Sequence, residues 1–294
     1  MGCYNSQENT GENRCKKELS LLRRVVLTPP SAIFTGLDEL GAAQTFDEWL
    51  ESGIHAALPA NRFYPMPTIE SVEDKSSDNI EATTGYGTSY VINEGSIAFT
   101  QTFLRDYCLS KKLLSFNGQE WRVIIFDNTN QAQVITTSAG QMGELATIWA
   151  SQPRPNTESE FGFPKIQYSF VNPNEHKNRE VIDTDLNYMD IKGLENVVMN
   201  IATVTTNLVI TFLTECGNYD VTSELALLSG ETTAWLGDTA GVIAALTTAP
   251  TYASGKFTVT VASVTQDKIS IADPSILYGI GVANKEQPDY TTVP

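Results

Sequence analysis

Short runs of apolar residues recur through the last third of the chain, separated by Thr-rich and Gly-rich segments. The runs are Val197–Val204, Leu208–Leu213, Leu225–Leu228, Phe257–Val264 and Lys268–Ile271. Runs of this length, rich in β-branched residues and about ten residues or more apart, are typical of strands in a β-sandwich. The pattern therefore predicts a sandwich over residues 195–294, with Ala234–Leu246 as a helix or as a loop that crosses it.

The first two thirds of the chain alternate between helical and strand periodicities. Helical spacing of apolar residues predicts an amphipathic helix over 37–52 and a short helix over 103–115. Alternation predicts a half-buried hairpin over 88–103, with a turn or bulge at 93–96. Further strands are predicted at 120–127, 145–150 and 166–171, and 60–82 is predicted to be an exposed loop or hairpin tip.

These patterns divide the sequence into three parts. They are an N-terminal arm over 1–30, a mainly β domain with a flanking helix over 31–194, and the sandwich over 195–294. A chain of 294 residues and 32.2 kDa, with 41% hydrophobic residues, has enough material for cores of this size. Its apolar runs are too short and too interrupted for a spanning helix, so we expect no membrane partner.

Charge is distributed unevenly. The net charge is −16, which argues against a surface that grips nucleic acid. Basic residues outnumber acidic ones only in the arm, where the basic set is Arg14, Lys16, Lys17, Arg23 and Arg24. We interpret this set as an assembly arm that docks onto the acidic body of a neighbouring subunit.

The four cysteines, Cys3, Cys15, Cys108 and Cys216, are spaced too widely for a metal knuckle and are too few for a disulfide scaffold. We expect reduced thiols in a protein made in a cytoplasm, with pairing of Cys3 and Cys15 as the alternative.

Catalytic and cofactor motifs are absent from the sequence. It contains no Gly-x-Ser-x-Gly elbow, phosphate-binding loop or His-Glu-x-x-His pair, and His55 and His176 lie far apart. Asp183, Asp185 and Asn187 alternate like the start of a calcium loop, but Tyr188 stands where that loop needs glycine. A solvated linker is the preferred interpretation. We therefore predict no enzyme activity, no cofactor and no metal.

Aromatic residues admit two interpretations. Seven of them either form a sugar-stacking platform or belong to the core, and their positions in apolar strands favour the core. They are Trp121, Phe126, Trp149, Phe161, Phe163, Tyr168 and Phe170. Trp235, among Thr and Gly residues, is predicted to be exposed and to offer a contact surface.

One stretch resembles a known family. It covers about 60–145 and runs through RFYPMP, an acidic loop, GYGTSYVINEGSIAFTQTF, a short helix, SFNGQEWRVIIFDNTNQ and a Gly-rich turn. This order is similar to structural proteins of the tail-tube or tail-ring type in tailed phages of Bacteroidota, including crAss-like phages.

The resemblance implies a tail-tube-like β-sandwich or barrel with a flanking helix, followed by an immunoglobulin-like sandwich. It implies a virion protein, made in the host bacterial cytoplasm, that forms homo-oligomeric rings next to other tail or portal-proximal proteins. DNA would pass through such a ring without specific binding, because the acidic wall repels phosphate. Two alternatives stay open: a capsid-associated protein (decoration, head-fibre or cargo), and a glycan-binding surface module.

Overall fold

A computed structural model describes residues 20–87, 89–104, 107–158, 162–204, 207–260 and 267–294. The chain divides into two compact units, Met1–Gly53 with Ala60–Lys192 and Ile54–Pro59 with Gly193–Pro294. The architecture is mainly β, built from antiparallel sheets, as the sequence predicts. No sheet of the described residues closes into a barrel, so the barrel form of the prediction is wrong.

The elements up to residue 183 are as follows. The strands are β1 (Leu22–Thr28), β2 (Tyr64–Pro65), β3 (Ile69–Asp74), β4 (Ile80–Thr83), β5 (Ser89–Asn93), β6 (Ala98–Phe103), β7 (Glu120–Asp127), β8 (Gln131–Thr137), β9 (Gly140–Met142), β10 (Glu144–Ala150), β11 (Lys165–Phe170) and β12 (Arg179–Asp183). The α-helices are α1 (Phe46–Ile54) and α2 (Tyr107–Leu113), and 3-10 turns span Pro59–Asn61, Leu114–Phe116 and Glu175–Asn178.

A ten-stranded sheet organises the first unit. Its main path is β12-β8-β7-β10-β11-β6-β3, with β1, β2 and β9 paired off this path. The predicted strand 120–127 is confirmed as β7, whose last five residues are all buried. Branched side chains pack well on both faces of a pleated sheet, which is why this apolar run forms a central strand.

Strand β1 corrects the predicted arm. Residues 22–28 pair antiparallel with β7, and the last five of them are buried, so they belong to the sheet. The prediction of a single arm over 1–30 is therefore wrong for this segment. The basic pair Arg23 and Arg24 masked the strand in the sequence, although Val25, Val26 and Leu27 that follow are completely buried.

Helix α1 begins later than the sequence predicts. Thr45 and Glu48 form a reciprocal cap, in which the Glu48 N–H donates to Thr45 Oγ1 at 3.2 Å and the Thr45 N–H donates to Glu48 Oε2 at 2.8 Å. Upstream, Asp38 accepts hydrogen bonds from the N–H groups of Leu40 and Ala42, which bends the chain into a turn. Residues 37–45 are thus not helical, whereas the short helix predicted over 103–115 is confirmed by α2.

The elements of the second unit beyond residue 193 are as follows. The strands are β13 (Val197–Val204), β14 (Asn207–Thr214), β15 (Trp235–Thr239), β16 (Val242–Ala245), β17 (Thr251–Ala253), β18 (Lys256–Thr260), β19 (Lys268–Ile271) and β20 (Thr291–Thr292). The helix is α3 (Pro274–Ile280), and 3-10 turns span Thr222–Leu228 and Thr232–Ala234.

Two four-stranded sheets pack in a sandwich-like arrangement in this unit. Their orders are β13-β14-β18-β17 and β16-β15-β19-β20. Phe212 and Phe257 from the first sheet and Trp235 from the second join one hydrophobic cluster, in which all three are fully buried. The rings of Trp235 and Phe257 meet edge to face at 5.1 Å.

Two element predictions in this unit are wrong. Leu225–Leu228 is the end of a 3-10 turn, because Thr222 Oγ1 bonds both the N–H and the carbonyl of Phe212 and draws the segment across β14. Ala234–Leu246 contains a tight hairpin, since Ala240 and Gly241 both adopt positive φ and reverse the chain between β15 and β16.

Candidate assembly surface

A long hairpin extends from the end of the ten-stranded sheet. Its base is β3 paired with β6, and β6 is itself paired with β11 in the body of the unit. The buried Phe99 and Phe103 of β6 belong to the core, whereas every residue of β3 after Ile69 is exposed. We call residues 69–103 the assembly hairpin.

Backbone and side-chain hydrogen bonds continue the pairing beyond the base. The Lys75 N–H donates to the Ala98 carbonyl and the Ser77 N–H to the Ser96 carbonyl, both at 2.8 Å. The Gly95 N–H donates to Asn79 Oδ1 at 2.6 Å. A Cβ on Gly95 would lie 2.0 Å from the Ser77 carbonyl oxygen, so only glycine fits this crossing. The hairpin is therefore continuous from base to tip.

The tip is formed by β4 and β5, which pair only with each other among the described residues. Residues two apart in a strand share a face, so Ile80 and Ala82 lie on one side, with Tyr90 directly opposite Ala82. Ile80 is 58% exposed and Tyr90 is 55% exposed. The apolar face of the tip is thus open to solvent.

This geometry corrects the sequence prediction for 60–103. The hairpin turn lies near Tyr86, which is fully exposed, and Gly87, which has a φ of +81°. Residues 93–96, predicted as the turn or bulge, instead lie along one arm of the hairpin, at the end of β5 and in the segment that joins β5 to β6. The turn signal Asn-Glu-Gly was misleading because Gly95 serves a close approach to the opposite arm.

The hairpin is strongly acidic. Residues 69–95 include one basic residue, Lys75, and the acidic residues Glu70, Glu73, Asp74, Asp78, Glu81 and Glu94. Lys75 forms an exposed ion pair with Glu73. The apolar face of the tip, by contrast, consists of the uncharged residues Ile80, Ala82 and Tyr90.

The predicted basic set does not form one surface within the described residues. Arg14, Lys16 and Lys17 lie outside the described residues. Arg24 is 8% exposed, and its Nη2 donates to Thr68 Oγ1 at 2.8 Å. Burial lowers the pKa of Arg24, while the charges of Tyr188 and Asp190 act in the opposite direction. Arg24 therefore serves the interior of the first unit.

Two of the three candidate metal residues accept hydrogen bonds through their side chains, and the third donates one through its backbone. Asp183 Oδ1 accepts from Gln131 Nε2 at 3.1 Å, and Asn187 Oδ1 accepts from the Met189 N–H at 2.9 Å. The Asp185 N–H donates to Asp47 Oδ2 at 2.8 Å. Across the described ranges, no group of three or more His, Cys, Asp or Glu side chains is arranged to hold a metal.

A buried ionic cluster lies in the first unit, and sequence reasoning missed it. Glu144 is 2% exposed and receives two hydrogen bonds from Arg179, at 2.8 and 3.0 Å, together with a contact from His176 Nδ1. The guanidinium of Arg179 also lies 5.4 Å from the ring centroid of Phe170. The cluster fixes the 175–178 turn and the start of β12 against β10, which is a structural role.

The other histidine also packs internally. His55 is 6% exposed and stacks on Tyr278 within the second unit, with ring centroids 4.1 Å apart. The two histidines therefore belong to separate internal contacts.

Most of the described aromatic residues that were predicted to belong to the core are buried or partly buried, and two are exposed. Phe126, Tyr168 and Phe170 are buried. Trp149 is 54% exposed and Phe163 is 37% exposed, while Trp121 packs partly buried against the core. Phe161 lies outside the described residues.

Trp235 is completely buried, so the prediction that it forms an exposed contact surface is wrong. Its indole N–H donates to the Leu228 carbonyl at 3.0 Å, which satisfies the polar end of the ring inside the sandwich.

Two cysteines lie in the described part, and both are oxidised. Cys108 and Cys216 are disulfide-bonded, so the expectation of reduced thiols is wrong for them. The alternative pair, Cys3 and Cys15, lies outside the described residues. Cys108 is in α2, and Cys216 follows β14.

A cleft of about 260 Å³ lies in the second unit beside the start of β13. Its lining includes the acidic residues Glu215, Glu286 and Asp289 together with Asn196 and Tyr290. Asn196 Nδ2 donates to Glu215 Oε2 at 2.9 Å. The lining of the cleft is therefore acidic.

Comparisons with protein-family models, with curated proteins and with solved structures give no match to this chain. Within the described residues, no helix is both long enough and apolar enough to cross a membrane. The most site-like feature of the described residues is the exposed apolar face of the assembly hairpin.

Proposed function

We propose that this chain is a non-enzymatic structural subunit of a tailed-phage virion, a tail-tube or tail-ring component that assembles with copies of itself. The main support for this proposal is the assembly hairpin, whose tip exposes Ile80 and Tyr90 on one face. In this proposal the second unit is an immunoglobulin-like module. The protein is made in the host bacterial cytoplasm and lies in the virion next to other tail or portal-proximal proteins.

The low stability expected of the tip by itself supports the proposal that a neighbouring subunit covers it. An isolated two-stranded hairpin is marginally stable in water, because it lacks a third strand or a helix to cover one face. The tip β4–β5 has neither among the described residues. A neighbouring subunit that covers Ile80, Ala82 and Tyr90 supplies the missing layer and removes their apolar surface from water.

The open sheet supports an extended assembly. The ten-stranded sheet ends at β3 on one side and at β12 on the other. Neither edge is paired with a further strand of the described ranges. Two different edges on one subunit allow a heterologous contact, and such contacts generate rings when the rotation closes. The net charge of −16, repeated around a ring, gives a wall that repels DNA phosphate and lets DNA pass without specific binding.

The test is the mass of the full chain in solution across a concentration series, by light scattering, with negative-stain imaging of the same sample. We expect rings or stacked tubes for the natural sequence and their loss in the double variant Ile80→Ser/Tyr90→Ser. Leu227→Ser is the matched control, because Leu227 is 58% exposed but lies in the second unit. A stable monomer or trimer at every concentration contradicts the proposal and favours a capsid-associated protein.

The basic residues outside the described part give a second, independent test. Arg14, Lys16 and Lys17 are the predicted contacts with the acidic body of a neighbour. We expect a chain that lacks residues 1–18 to fold with the same circular dichroism spectrum but to stay unassembled. A truncated chain that assembles normally removes these residues from the proposal and leaves the hairpin as the assembly surface.

A further inference from the structure

The cleft in the second unit opens onto a stretch of the outer edge of β13. Just before this strand, the Glu195 N–H donates to the Asn284 carbonyl at 2.8 Å, and the Glu195 carbonyl accepts from the Glu286 N–H at 2.9 Å. Backbone groups of successive residues point to opposite sides of a strand, so Val197 and Met199 direct theirs to the same edge as Glu195. Their side chains are buried in the sandwich core.

The open part of this edge is short, and both of its ends are closed. Glu195 pairs with the C-terminal segment at one end, and the Met199 carbonyl accepts from Thr291 Oγ1 at 3.2 Å at the other. Between them, the N–H and carbonyl of Val197 and the N–H of Met199 have no hydrogen-bond partner among the described residues. Residues 286–291 form the facing wall of the cleft. Such unpaired backbone groups are a template for an extended segment of chain.

The cleft also selects by charge and by size. Glu215, Glu286 and Asp289 line it, and its lining includes no lysine, arginine or histidine. A cleft lined by one sign of charge focuses the electrostatic field. Its volume of about 260 Å³ lies below the roughly 300–1,000 Å³ of pockets for drug-sized ligands, so it fits a few residues of chain. The occupant that it favours is therefore a short extended segment with basic side chains.

One segment of this chain has that chemistry. Residues 14–17 contain Arg14, Lys16 and Lys17, and no other four consecutive residues of the sequence contain three lysines or arginines. These residues lie outside the described part. The net charge of −16 makes most of the chain repel an acidic surface, whereas this segment is attracted to one.

We propose that residues 14–17 occupy the cleft as an extended segment. Their backbone pairs with the open N–H and C=O groups of β13, and their basic side chains contact the three carboxylates of the lining. The inference concerns the segment and the cleft, whichever copy supplies the segment, so it does not rest on the proposed function.

The acidic strand β3 is the competing surface for the segment. Every residue of β3 after Ile69 is exposed, and ion pairs between exposed side chains contribute little because water and salt screen them. The cleft, by contrast, adds unpaired backbone groups to its carboxylates. An experiment therefore has to separate these two surfaces.

The test is photo-cross-linking of the full chain with p-benzoylphenylalanine at position 13, which adjoins the segment, in an equal mixture of ¹⁵N-labelled and unlabelled protein. Mass spectrometry of the digest identifies the joined peptides. We expect cross-links from position 13 to residues 195–199 or 284–291.

Two matched variants separate the cleft from β3. Each removes three acidic charges and keeps the side chains polar. We expect the yield of the cross-link to fall at least tenfold in the cleft variant, Glu215→Gln/Glu286→Gln/Asp289→Asn. The yield should be unchanged in the β3 variant, Glu70→Gln/Glu73→Gln/Asp74→Asn.

A variant of the segment itself keeps the test decisive if circular dichroism shows that the cleft variant is misfolded. Arg14→Gln/Lys16→Gln/Lys17→Gln should lower the yield at least tenfold as well. Cross-links to β3 instead of the cleft, no cross-links to the cleft, or an unchanged yield in either the cleft variant or the segment variant would each overturn the proposal.

The isotope labels separate this inference from the proposed function. Cross-links to the cleft support the inference whether they join one isotope class or two, and only mixed-isotope links also support an arm that reaches a neighbour. Rings seen by negative stain without cross-links to the cleft would contradict the inference and leave the proposed function standing.

Discussion

Two hairpins of this protein have similar local pairing and very different surroundings. Strands β13 and β14 pair over their full length, and alternate residues of β14 are buried, from Leu208 to Thr214. Strands β4 and β5 pair in the same antiparallel way, yet Ile80 and Tyr90 on their apolar face are more than half exposed. One hairpin has a second sheet against it and the other has solvent.

The difference shows where stability resides and, under the proposed function, where assembly is expected to take place. Burial of one face against a second layer makes a hairpin stable, because the hydrophobic gain offsets the entropy of ordering the strands. The β13–β14 pair obtains that gain within the subunit. The tip has no second layer among the described residues. Under the proposed function, a neighbouring subunit supplies that layer, so we expect substitutions in the sandwich to change the free energy of unfolding and substitutions in the tip to change assembly.

The largest expected effect is at Phe212. This side chain is fully buried in β14, with its ring 6.0 Å from that of Trp235. Phe212→Ala removes the ring from the sandwich and leaves a cavity, so we expect a loss of about 3–5 kcal/mol in the free energy of unfolding. Urea unfolding followed by tryptophan fluorescence measures it. A loss below about 1 kcal/mol would contradict the burial seen here.

A smaller loss is expected at Glu144, in the body of the first unit. Glu144→Gln removes the charge that Arg179 and His176 contact but keeps the shape of the side chain. Hydrogen bonds to charged groups contribute more than neutral ones, so we expect a loss of about 2–3 kcal/mol in the free energy of unfolding. Chemical denaturation at neutral pH measures it.

The control for Glu144 is Glu73→Gln on the assembly hairpin. Glu73 also has a basic partner, Lys75, but both side chains are exposed, and exposed ion pairs contribute little. We expect no measurable change in unfolding for this variant. Equal losses in the two variants would mean that the hairpin supports the fold as strongly as the body does.

We expect a still smaller change in the free energy of unfolding when Lys285 loses its proton at high pH. Burial acts to lower the pKa of Lys285, but hydrogen bonds and charges from Glu195 and Glu224 outweigh it and raise this pKa above its usual value. The stabilisation is therefore fully present below the unfolded pKa of about 10.5 and is lost as pH rises through the higher folded value. Both glutamates are about half exposed, so we expect at most about 1 kcal/mol.

The measurement for Lys285 is the difference in unfolding free energy between the natural sequence and Lys285→Met, at intervals from pH 8 to pH 12. The difference should be constant up to about pH 10 and then shrink. Because other groups titrate equally in both chains, their effects cancel in the difference. A difference that grows with pH would reverse the sign assigned to this ion pair.

Apolar periodicity predicted much of this fold. Strands such as β7, β13 and β14 were found because their burial repeats every residue or every second residue, which the sequence displays directly. Strand β1 was missed because Arg23 and Arg24 made it resemble a basic arm. The 225–228 turn was misassigned because a hydroxyl group, Thr222 Oγ1, rather than any apolar pattern, sets its path.

The candidate surface was only partly predictable. The basic arm was the expected assembly element, and 60–82 was expected to be an exposed loop or hairpin tip. The structure pairs β4 of that segment with β5. Exposure of Tyr90 and burial of Trp235 depend on which layer covers each strand, and that information lies in long-range contacts that the local sequence does not contain. The Glu144 cluster likewise joins residues more than thirty positions apart.

The smallest expected effect on stability is at Tyr90, and it is the sharpest test of the comparison. Tyr90→Ser removes an exposed ring from the tip, and surface substitutions without buried partners usually change unfolding by less than about 0.5 kcal/mol. We expect unfolding by urea to be unchanged under dilute, unassembled conditions. At concentrations where the natural chain assembles, its thermal midpoint should rise while that of Tyr90→Ser stays fixed, because assembly stabilises only the folded state. A clear loss of stability in the dilute variant would show that the tip is held by its own subunit, and the contrast with β13–β14 would then fail.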